Sequence, residues 1–301
     1  MTELRFDGRV AIITGAGGGL GRSHALLLAS RGASVVVNDI GGSVDGKGGS
    51  ATPGEAVVAE ITALGGTAIA NRDSVSTAEG GNAIVDAAME AFVRVDILVN
   101  NAGILRDQAF HKMENDSIDS VVDVHLKGAL YVTRPAFAIM REQGYGRIIS
   151  TSSASGLFGN FGQANYGAAK AGLAGLTRVL TIEGASKGIK ANAIAPIAAT
   201  RMTQDVLGDL LELVTPESVS AVVAYLANEE CAVNGHIYSV GGGRVSRIFI
   251  AETPGTILGE NTPEAVANSL ATIDDTDGFL LPESLADETA LIADALNRVS
   301  V

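Results

Sequence analysis

The chain of 301 residues lacks tryptophan, has a single cysteine and contains only 4% aromatic residues. The single cysteine, Cys231, excludes an intramolecular disulfide and fits a reducing compartment. No apolar run approaches the roughly 18 residues that identify a membrane-spanning helix. No secretory leader precedes Arg9, and the final residues are not a Ser-Lys-Leu peroxisomal address. These absences predict a cytoplasmic protein without a membrane span.

Basic residues are also scarce: 21 lysines and arginines stand against 34 acidic residues, a formal net charge of -13. Without a block of lysine and arginine, such an acidic chain is not expected to bind nucleic acid. Glycine is abundant, at 37 residues, and hydrophobic residues make up 47% of the chain. This composition allows a large buried core and buried contacts between subunits. We therefore expect a homodimer or homotetramer.

Segments typical of strands and helices alternate along residues 1–244, which we interpret as one nucleotide-binding domain. The candidate strands are 9–14, 34–38, 67–71, 95–100, 146–151, 189–194 and 236–240. The candidate helices lie at about 20–31, 54–64, 77–92, 115–142, 163–186 and 215–228. Such alternation predicts an α/β fold of the Rossmann type, with a doubly wound parallel sheet of about seven strands. A cofactor is expected across the carboxyl ends of the strands.

A glycine-rich turn follows the first candidate strand. Its pattern is Thr14-Gly15-x-x-x-Gly19-x-Gly21, which departs from the G-x-G-x-x-G fingerprint because Leu20 occupies the sixth position. A helical segment comes next. A strand, a glycine turn and a helix form a cradle for a pyrophosphate, whose charge the amino end of the helix favours. A glycine hairpin or hinge is the alternative interpretation.

Asp39 ends the second candidate strand, eighteen residues after Gly21. A carboxylate at this place accepts hydrogen bonds from the adenosine ribose 2′-OH and repels a 2′-phosphate. The position therefore favours NAD over NADP as the cofactor, and no metal ion is expected. A capping or turn aspartate is the alternative.

Tyr166 and Lys170 are four residues apart in a candidate helix, and Ser153 lies thirteen residues before the tyrosine. Residues four apart share one face of a helix, so the phenol and the ammonium can address the same point. A nearby cation lowers the pKa of a phenol, which can then exchange a proton with an alcohol. A serine hydroxyl can bind the same oxygen. A solvated helix face or a half-buried phenol is the alternative.

Together with Asn100-Asn101-Ala102-Gly103 and Pro196, these motifs resemble the short-chain dehydrogenase/reductase family over roughly residues 6–243. The resemblance implies that Tyr166 is the acid/base and that Ser153 orients the substrate oxygen. It implies that Lys170 contacts the nicotinamide ribose and lowers the pKa of the tyrosine. The residues expected to contact NAD are Gly15, Gly19, Leu20, Gly21, Asp39, Asp73, Asn101, Ala102, Gly103, Tyr166, Lys170 and Pro196. For Asp73 and for the segment from Asn100 to Gly103, ordinary turn chemistry is the alternative.

Two residues depart from the family pattern. His125, in Val124-His125-Leu126-Lys127-Gly128, occupies the place of an asparagine that many members use in a water relay to the lysine. We include His125 among the candidate catalytic residues, with a structural histidine as the alternative. Ile197 follows Pro196 where the family often has glycine. The stretch from Ser152 to Tyr166 and His125 itself resemble the (3R)-hydroxyacyl-CoA dehydrogenase part of the peroxisomal type 2 multifunctional enzyme.

Three segments lie outside this core pattern. Residues 41–54 are rich in glycine and predict a surface loop that folds over the adenosine or is a passive insertion. Residues 197–213 are apolar and predict either a lipophilic substrate site or a core helix. Residues 245–301 form an extension with helices expected to begin at Thr262-Pro263 and to run from Pro282 to Val299. We expect this extension to pack on the core or on a partner subunit.

A CoA substrate would also need a basic rim around the site. The candidates are Arg106, Lys112, Arg201, Arg244 and Arg247. The sequence therefore predicts an NAD-dependent oxidoreductase that interconverts a secondary alcohol and a ketone, with 3-hydroxyacyl-CoA or a hydroxysteroid as the substrate. A nucleotide-binding regulatory or scaffold subunit without turnover is the alternative.

Overall fold

The computed structural model describes residues 3–48, 52–198 and 213–299. The chain divides into two compact units, Met1–Arg247 and Ile248–Val301. The division falls three residues beyond the boundary at 244 that the sequence suggested. How the second unit packs stays a prediction.

The first unit is built on one eight-stranded sheet. Its strands are β1 (Val10–Thr14), β2 (Ser34–Asn38), β3 (Thr67–Asn71), β4 (Ile97–Asn100), β5 (Gly146–Thr151), β6 (Ile189–Pro196), β7 (Ile237–Gly241) and β8 (Arg244–Ile248). They lie in the order β3-β2-β1-β4-β5-β6-β7-β8, and the pairs from β3 to β7 are parallel. The predicted α/β fold and its seven strands are confirmed. The eighth was missed because its residues were assigned to the extension.

Only Gly242 and Gly243 separate β7 from β8, so these two strands form a hairpin, in which pairing is antiparallel. Both glycines have positive φ angles, which a two-residue hairpin turn requires. The seven parallel strands instead need helical crossovers, which accounts for the helices between them.

The helices of the first unit lie on both faces of the sheet. Their bounds are α1 (Gly19–Ser30), α2 (Thr52–Ala63), α3 (Ala78–Phe92), α4 (Asn115–Val122), α5 (Gly128–Gln143), α6 (Ala154–Phe158), α7 (Ala164–Gly184) and α8 (Pro216–Ala227). The helices of the second unit are α9 (Pro263–Ile273) and α10 (Leu285–Val299). One core contains side chains of α1, α2 and α8, and the other contains side chains of α3, α5 and α7. With both faces covered, the central strands are buried throughout, which explains their continuous apolar sequences.

The long helix expected at 115–142 is interrupted. Asp123–Lys127 between α4 and α5 is π-helical, so this stretch of backbone accommodates an extra residue. His125 lies within it and is buried. Such π segments are frequent at functional sites because they aim a side chain that a regular helix would place elsewhere.

The second unit contains α9, α10 and an isolated antiparallel bridge between Glu252 and Leu280. The predicted start of α9 is confirmed, because the Thr262 side chain accepts a hydrogen bond from the Ala265 N–H and Pro263 follows. Several large apolar side chains remain exposed within this unit, Leu285 most of all at 81%. In the described part of the chain, no helix has the length and apolar character needed to cross a membrane.

Candidate active site

The glycine turn between β1 and α1 is packed too tightly for side chains. Gly15 has a φ of 65°, and a Cβ there would lie 2.8 Å from the Ala102 Cα. A Cβ on Gly21 would lie 2.3 Å from the Gly15 carbonyl oxygen. The residue before α1, Gly18, offers no side chain to cap the first N–H groups of the helix. The turn therefore fits a pyrophosphate, which those N–H groups and the helix dipole would bind.

Asn101 holds this turn in place. Its Nδ2 donates to the carbonyl oxygens of Thr14, at 2.9 Å, and Gly15, at 3.1 Å. The Thr14 hydroxyl in turn accepts from the backbone N–H groups of Asn101 and Ala102. The Asn101 side chain is thus committed to the protein itself, and the expected cofactor contact of this residue, through its backbone, stays a prediction. Gly103 has a different constraint, since a Cβ there would lie 2.3 Å from the His125 ring.

Asp39 lies opposite the turn, at the end of β2. Its carboxylate accepts hydrogen bonds from the N–H groups of Gly17, at 2.7 Å, and Gly41, at 2.6 Å. A Cβ on Gly17 would lie 2.8 Å from the Asp39 carboxyl carbon. The carboxylate therefore faces the space beside the turn, where the ribose of a dinucleotide would lie.

Asp73, after β3, is fixed by two asparagines that the sequence did not single out. Asn71 Nδ2 donates to the Asp73 carboxylate at 2.7 Å, and Asn38 Nδ2 donates to the Asp73 carbonyl at 2.9 Å. Asn38 Nδ2 also donates to Asn71 Oδ1. Polar residues that end two neighbouring, otherwise apolar strands were the signal for this network.

The predicted catalytic side chains come together at the carboxyl end of β5. Ser153 caps α6, where its Oγ accepts from the Ser155 N–H, and its hydroxyl hydrogen-bonds to Tyr166. The Lys170 Nζ lies 5.5 Å from the centre of the Tyr166 ring and donates to the Thr151 carbonyl at 2.5 Å. Ser152 points the other way and donates to the Lys170 carbonyl, as strand alternation predicts.

Burial controls the protonation of this cluster. It lowers the pKa of Lys170 to about 7 and raises the pKa of Tyr166 above its ordinary value of 10.0. The hydrogen bond from Ser153 opposes the shift of the tyrosine, while the charge of Asp107 adds to it. The sequence-based expectation of a lowered tyrosine pKa is therefore wrong for the protein alone. Desolvation is the largest cause of the raised tyrosine pKa, and burial also disfavours the charge of the lysine.

His125 lies edge-on to Tyr166, with the ring centres 5.1 Å apart and the planes at 88°. Its Nε2 lies 3.0 Å from the Ile104 nitrogen and 2.8 Å from the Ile104 oxygen, and the tautomer decides which contact is the hydrogen bond. Burial and the charge of Lys170 hold its pKa well below the ordinary value, so the ring is neutral. His125 thus fixes the segment after β4.

The other ring nitrogen of His125 leaves room for a second role. Its Nδ1 is buried and has no partner among the described protein groups. A cavity of about 10 Å³ lies against the ring, lined also by Thr14, Asn100 and Leu173. This is space for about one water molecule. The proton relay and the structural role therefore both stay compatible with the geometry.

Asn165 is a site residue that the sequence missed. It is buried, its Oδ1 accepts from the Tyr166 N–H at 2.8 Å, and its Nδ2 donates to the carbonyls of Arg106 and Ser117. The tyrosine backbone is thus held through an asparagine side chain. A polar residue directly before the tyrosine was the available signal, and its partners lie 48 and 59 residues away.

The expected substrate stretch is described only at its ends. Pro196 ends β6, and Ile197 and Leu213 are exposed, whereas residues 199–212 lie outside the described residues, as does Arg201 of the basic rim. Arg106 does not form a rim, because its guanidinium binds Asp45, Asp116 and Ser120. Among the residues that the structure describes, no group of histidine, cysteine and acidic side chains is arranged to hold a metal ion.

Residues 9–210 match the family model described as short chain dehydrogenase. A protein of Mycobacterium tuberculosis, named as a short-chain type dehydrogenase/reductase, is 56% identical over 243 residues, covering 80% of this chain and 85% of the relative. The peroxisomal multifunctional enzyme type 2 of Mus musculus is 46% identical over 303 residues, covering 99% of this chain. This chain covers only 41% of the mouse enzyme.

A solved structure with a similar fold is a 7α-hydroxysteroid dehydrogenase complexed with NADH and 7-oxoglycochenodeoxycholic acid. Its TM-score is 0.71 at 30% sequence identity, and the match covers 81% of this chain and 98% of that one. A protein with a fold similar to that of the first unit has therefore been crystallised with a nicotinamide cofactor.

Proposed function

Because the chain belongs to the short-chain dehydrogenase family, whose members oxidise a CH–OH group or reduce the corresponding carbonyl, we propose that it is an NAD-dependent dehydrogenase of 3-hydroxyacyl-CoA or a hydroxysteroid. The observation that carries this proposal is the cluster of Ser153, Tyr166 and Lys170, beside a glycine turn that excludes side chains. An acid/base group and a dinucleotide cradle at one edge of a sheet suit hydride chemistry.

In the oxidation direction, bound NAD would accept the hydride from the carbinol carbon. Tyr166 accepts the hydroxyl proton as the ketone forms, and Ser153 holds the same oxygen through its hydroxyl. Lys170 is buried beside the ring and donates to the Thr151 carbonyl, and in its protonated form it would stabilise the phenolate of Tyr166 that accepts this proton. In the reverse direction the phenol returns the proton.

Asp39 supports the choice of NAD. Its carboxylate lies at the glycine turn, where a 2′-phosphate would be repelled by like charge. The similar 7α-hydroxysteroid dehydrogenase was crystallised with NADH, which agrees with this assignment.

The substrate class is supported by the relatives. The mouse relative is a peroxisomal multifunctional enzyme, and a 38% identical protein of Mycobacterium tuberculosis is named as a hydroxyacyl-CoA dehydrogenase. The steroid-bound neighbour supports the hydroxysteroid alternative. Several relatives are named as peroxisomal enzymes, and the cytoplasmic location stays a prediction from the sequence.

We also propose that the chain is a homo-oligomer in which the extension covers apolar surface. Exposed side chains such as Leu270, Phe279 and Leu285 in the second unit need a partner surface, on this chain or on another copy. Removing residues 249–301 should therefore lower the oligomer mass measured by light scattering, alter the substrate KM, or both. Unchanged mass and kinetics would show that the extension is dispensable.

The decisive experiment follows NADH formation by absorbance with a panel of alcohols. The panel contains both enantiomers of 3-hydroxyacyl-CoA of several chain lengths, 7- and 17-hydroxysteroids and simple secondary alcohols. The proposal expects saturable turnover with one lipophilic class and little with the simple alcohols. If NAD binds but no member is oxidised, the regulatory or scaffold alternative replaces the dehydrogenase.

A further inference from the structure

Residues 41–48, which we call the strap, lie between β2 and α2 and contact the segment that follows β4. The strap is closed on itself by a turn in which the Ser43 and Lys47 backbones pair and the Ser43 hydroxyl donates to the Lys47 carbonyl. Its tip contacts Ile104, Leu105 and Arg106, more than fifty residues further along the chain. The glycine-rich loop is therefore a packed element.

Three contacts join the strap to that segment. The Leu105 N–H donates to the Val44 carbonyl at 2.9 Å, and the Arg106 Nε donates to the Asp45 carbonyl at 2.9 Å. Gly46 packs on Ile104 so closely that a Cβ there would lie 3.0 Å from the Ile104 Cδ1. The first contact is a backbone hydrogen bond that any sequence could form, whereas the other two depend on the side chains of Arg106 and Ile104.

The base of the strap is attached to the residue expected to bind the adenosine ribose. The Asp39 carboxylate accepts from the N–H of Gly41, the first strap residue, and from the N–H of Gly17 in the glycine turn. A ribose bound at Asp39 would share this carboxylate. Occupation of the adenosine end therefore acts directly on a hydrogen bond that anchors the strap.

The far side of the same segment supports the catalytic tyrosine. Arg106 accepts through its carbonyl from Asn165 Nδ2 at 3.2 Å, and Asn165 holds the Tyr166 N–H. Ile104 binds His125, whose ring contacts Tyr166 edge-on. Segment 104–106 thus touches the strap on one side and two supports of the tyrosine on the other.

Arg106 is the side chain that ties these elements together. Its guanidinium is only 17% exposed, and besides Asp45 it binds the Asp116 carboxylate and the Ser120 hydroxyl on α4. The fork of an arginine can serve all three partners at fixed angles, which a lysine cannot. Asp116 is 81% exposed, so that ion pair by itself contributes little.

We propose that Arg106 is a positioning residue that transmits occupation of the adenosine end of the cleft, through the strap, to the backbone of Tyr166. The inference rests on the proposed dinucleotide site, and it adds a residue that touches neither cofactor nor substrate. If this inference holds, the adenosine half of the cofactor does more than strengthen binding. It also increases the rate of the reaction at the nicotinamide half.

The test uses AMP, which carries the adenosine and one phosphate of NAD, and measures hydrogen–deuterium exchange of peptides that contain Tyr166. AMP should slow exchange of this amide by about threefold or more in the wild-type protein, because its bond to Asn165 opens less often. Arg106→Gln should abolish that protection, while calorimetry finds the AMP Kd changed by less than about threefold. Asp116→Asn is the matched control and should behave as wild type.

Steady-state kinetics provide the second readout. Arg106→Gln should lower kcat by about 10-fold or more, since small misplacements of a catalytic group are costly, and leave the KM for NAD nearly unchanged. Arg106→Lys keeps the charge and should recover part of the lost kcat; it also replaces the glutamine variant in both assays if that variant does not fold.

Three results would overturn the inference. The first is full protection of the Tyr166 amide by AMP in Arg106→Gln, and the second is no protection by AMP in the wild type. The third is a loss of AMP affinity that matches the loss of kcat, which would make Arg106 part of the binding site. Because exchange and calorimetry need no substrate, they give an answer even if no alcohol is oxidised.

Discussion

The two ends of the proposed cofactor cleft are built in opposite ways. At the glycine turn, the surface of the cleft is formed by backbone atoms. Gly15 and Gly21 are required there because a Cβ at either position would clash with neighbouring atoms. At the other end, the chemistry depends on buried side chains, chiefly Tyr166 and Lys170, whose pKa values are displaced by desolvation. The function of the first end depends on close packing of the backbone. The function of the second end depends on the energetic cost of burying charged side chains. Substitutions at each end should therefore fail in different assays.

The largest effect is expected at the catalytic end. Tyr166→Phe keeps the ring and its contact with His125 but removes the hydroxyl that exchanges the proton. Turnover should fall by about 10²-fold or more, the usual scale of general acid–base catalysis, while NAD still binds. Initial rates and calorimetry test this together, and near-normal turnover with a good substrate would remove Tyr166 from the mechanism.

The matching change at the turn is Gly21→Ala. The added Cβ would lie 2.3 Å from the Gly15 carbonyl, so the turn must shift. We expect a loss of about 2 kcal/mol in stability and a weakened affinity for NAD. Gly259→Ala is the control, because a Cβ there meets open space among the described residues. Equal melting temperatures and equal Kd for the two variants would contradict the tight packing described for the turn.

Lys170→Met separates stability from function. The pKa of Lys170 is about 7 in the folded protein, below its ordinary value of 10.5. Between these two pH values the lysine is protonated in the unfolded chain but not in the folded one, so the stability of the folded protein rises with pH. The methionine variant lacks this penalty and should be more stable at pH 7 and below, with little turnover. Its advantage should shrink as the pH rises toward 10.5.

Denaturant melts from pH 6 to 10 measure the difference between the two proteins. A gain that is independent of pH would mean that the ammonium is not desolvated in the native state. A variant less stable than wild type at every pH would mean that the hydrogen bond to Thr151 outweighs the burial of charge.

The smallest effect is expected from Asp39→Ala. Removing the carboxylate abolishes repulsion of a 2′-phosphate, and the preference for NAD over NADP should narrow by about tenfold. The ratio of kcat/KM for the two cofactors measures this preference. A wild-type protein that prefers NADP would place Asp39 away from the ribose.

Much of the sheet was predictable because buried parallel strands have continuous apolar, β-branched sequences. The candidate segment 34–38 coincides with β2, and 146–151 coincides with β5. The strand β8 was missed because Arg244–Ile248 lacks a continuous apolar run, lies at the edge of the sheet and follows the last family motif. Local sequence carries less information about an edge strand, which one neighbour alone holds in place.

The site was predictable where a motif is local and not where it depends on distant contacts. The spacing of Tyr166 and Lys170 on one helix was enough to place them together. The roles of Arg106 and Asn165 depend on partners up to 61 residues away, and the raised pKa of Tyr166 depends on burial. Apart from the polar residue directly before the tyrosine, none of these leaves a local signal in the sequence.

The π-helical stretch Asp123–Lys127 also determines which face each residue of the following helix, α5, presents to the core. Each residue of an α-helix turns the chain by about 100°. A deletion that restored a regular helix there would rotate α5 by that angle and carry Val132, Ala136 and Met140 out of the core. A surface loop can gain or lose a residue without moving the core. At the π-helical stretch, the number of residues is therefore as constrained as their identity.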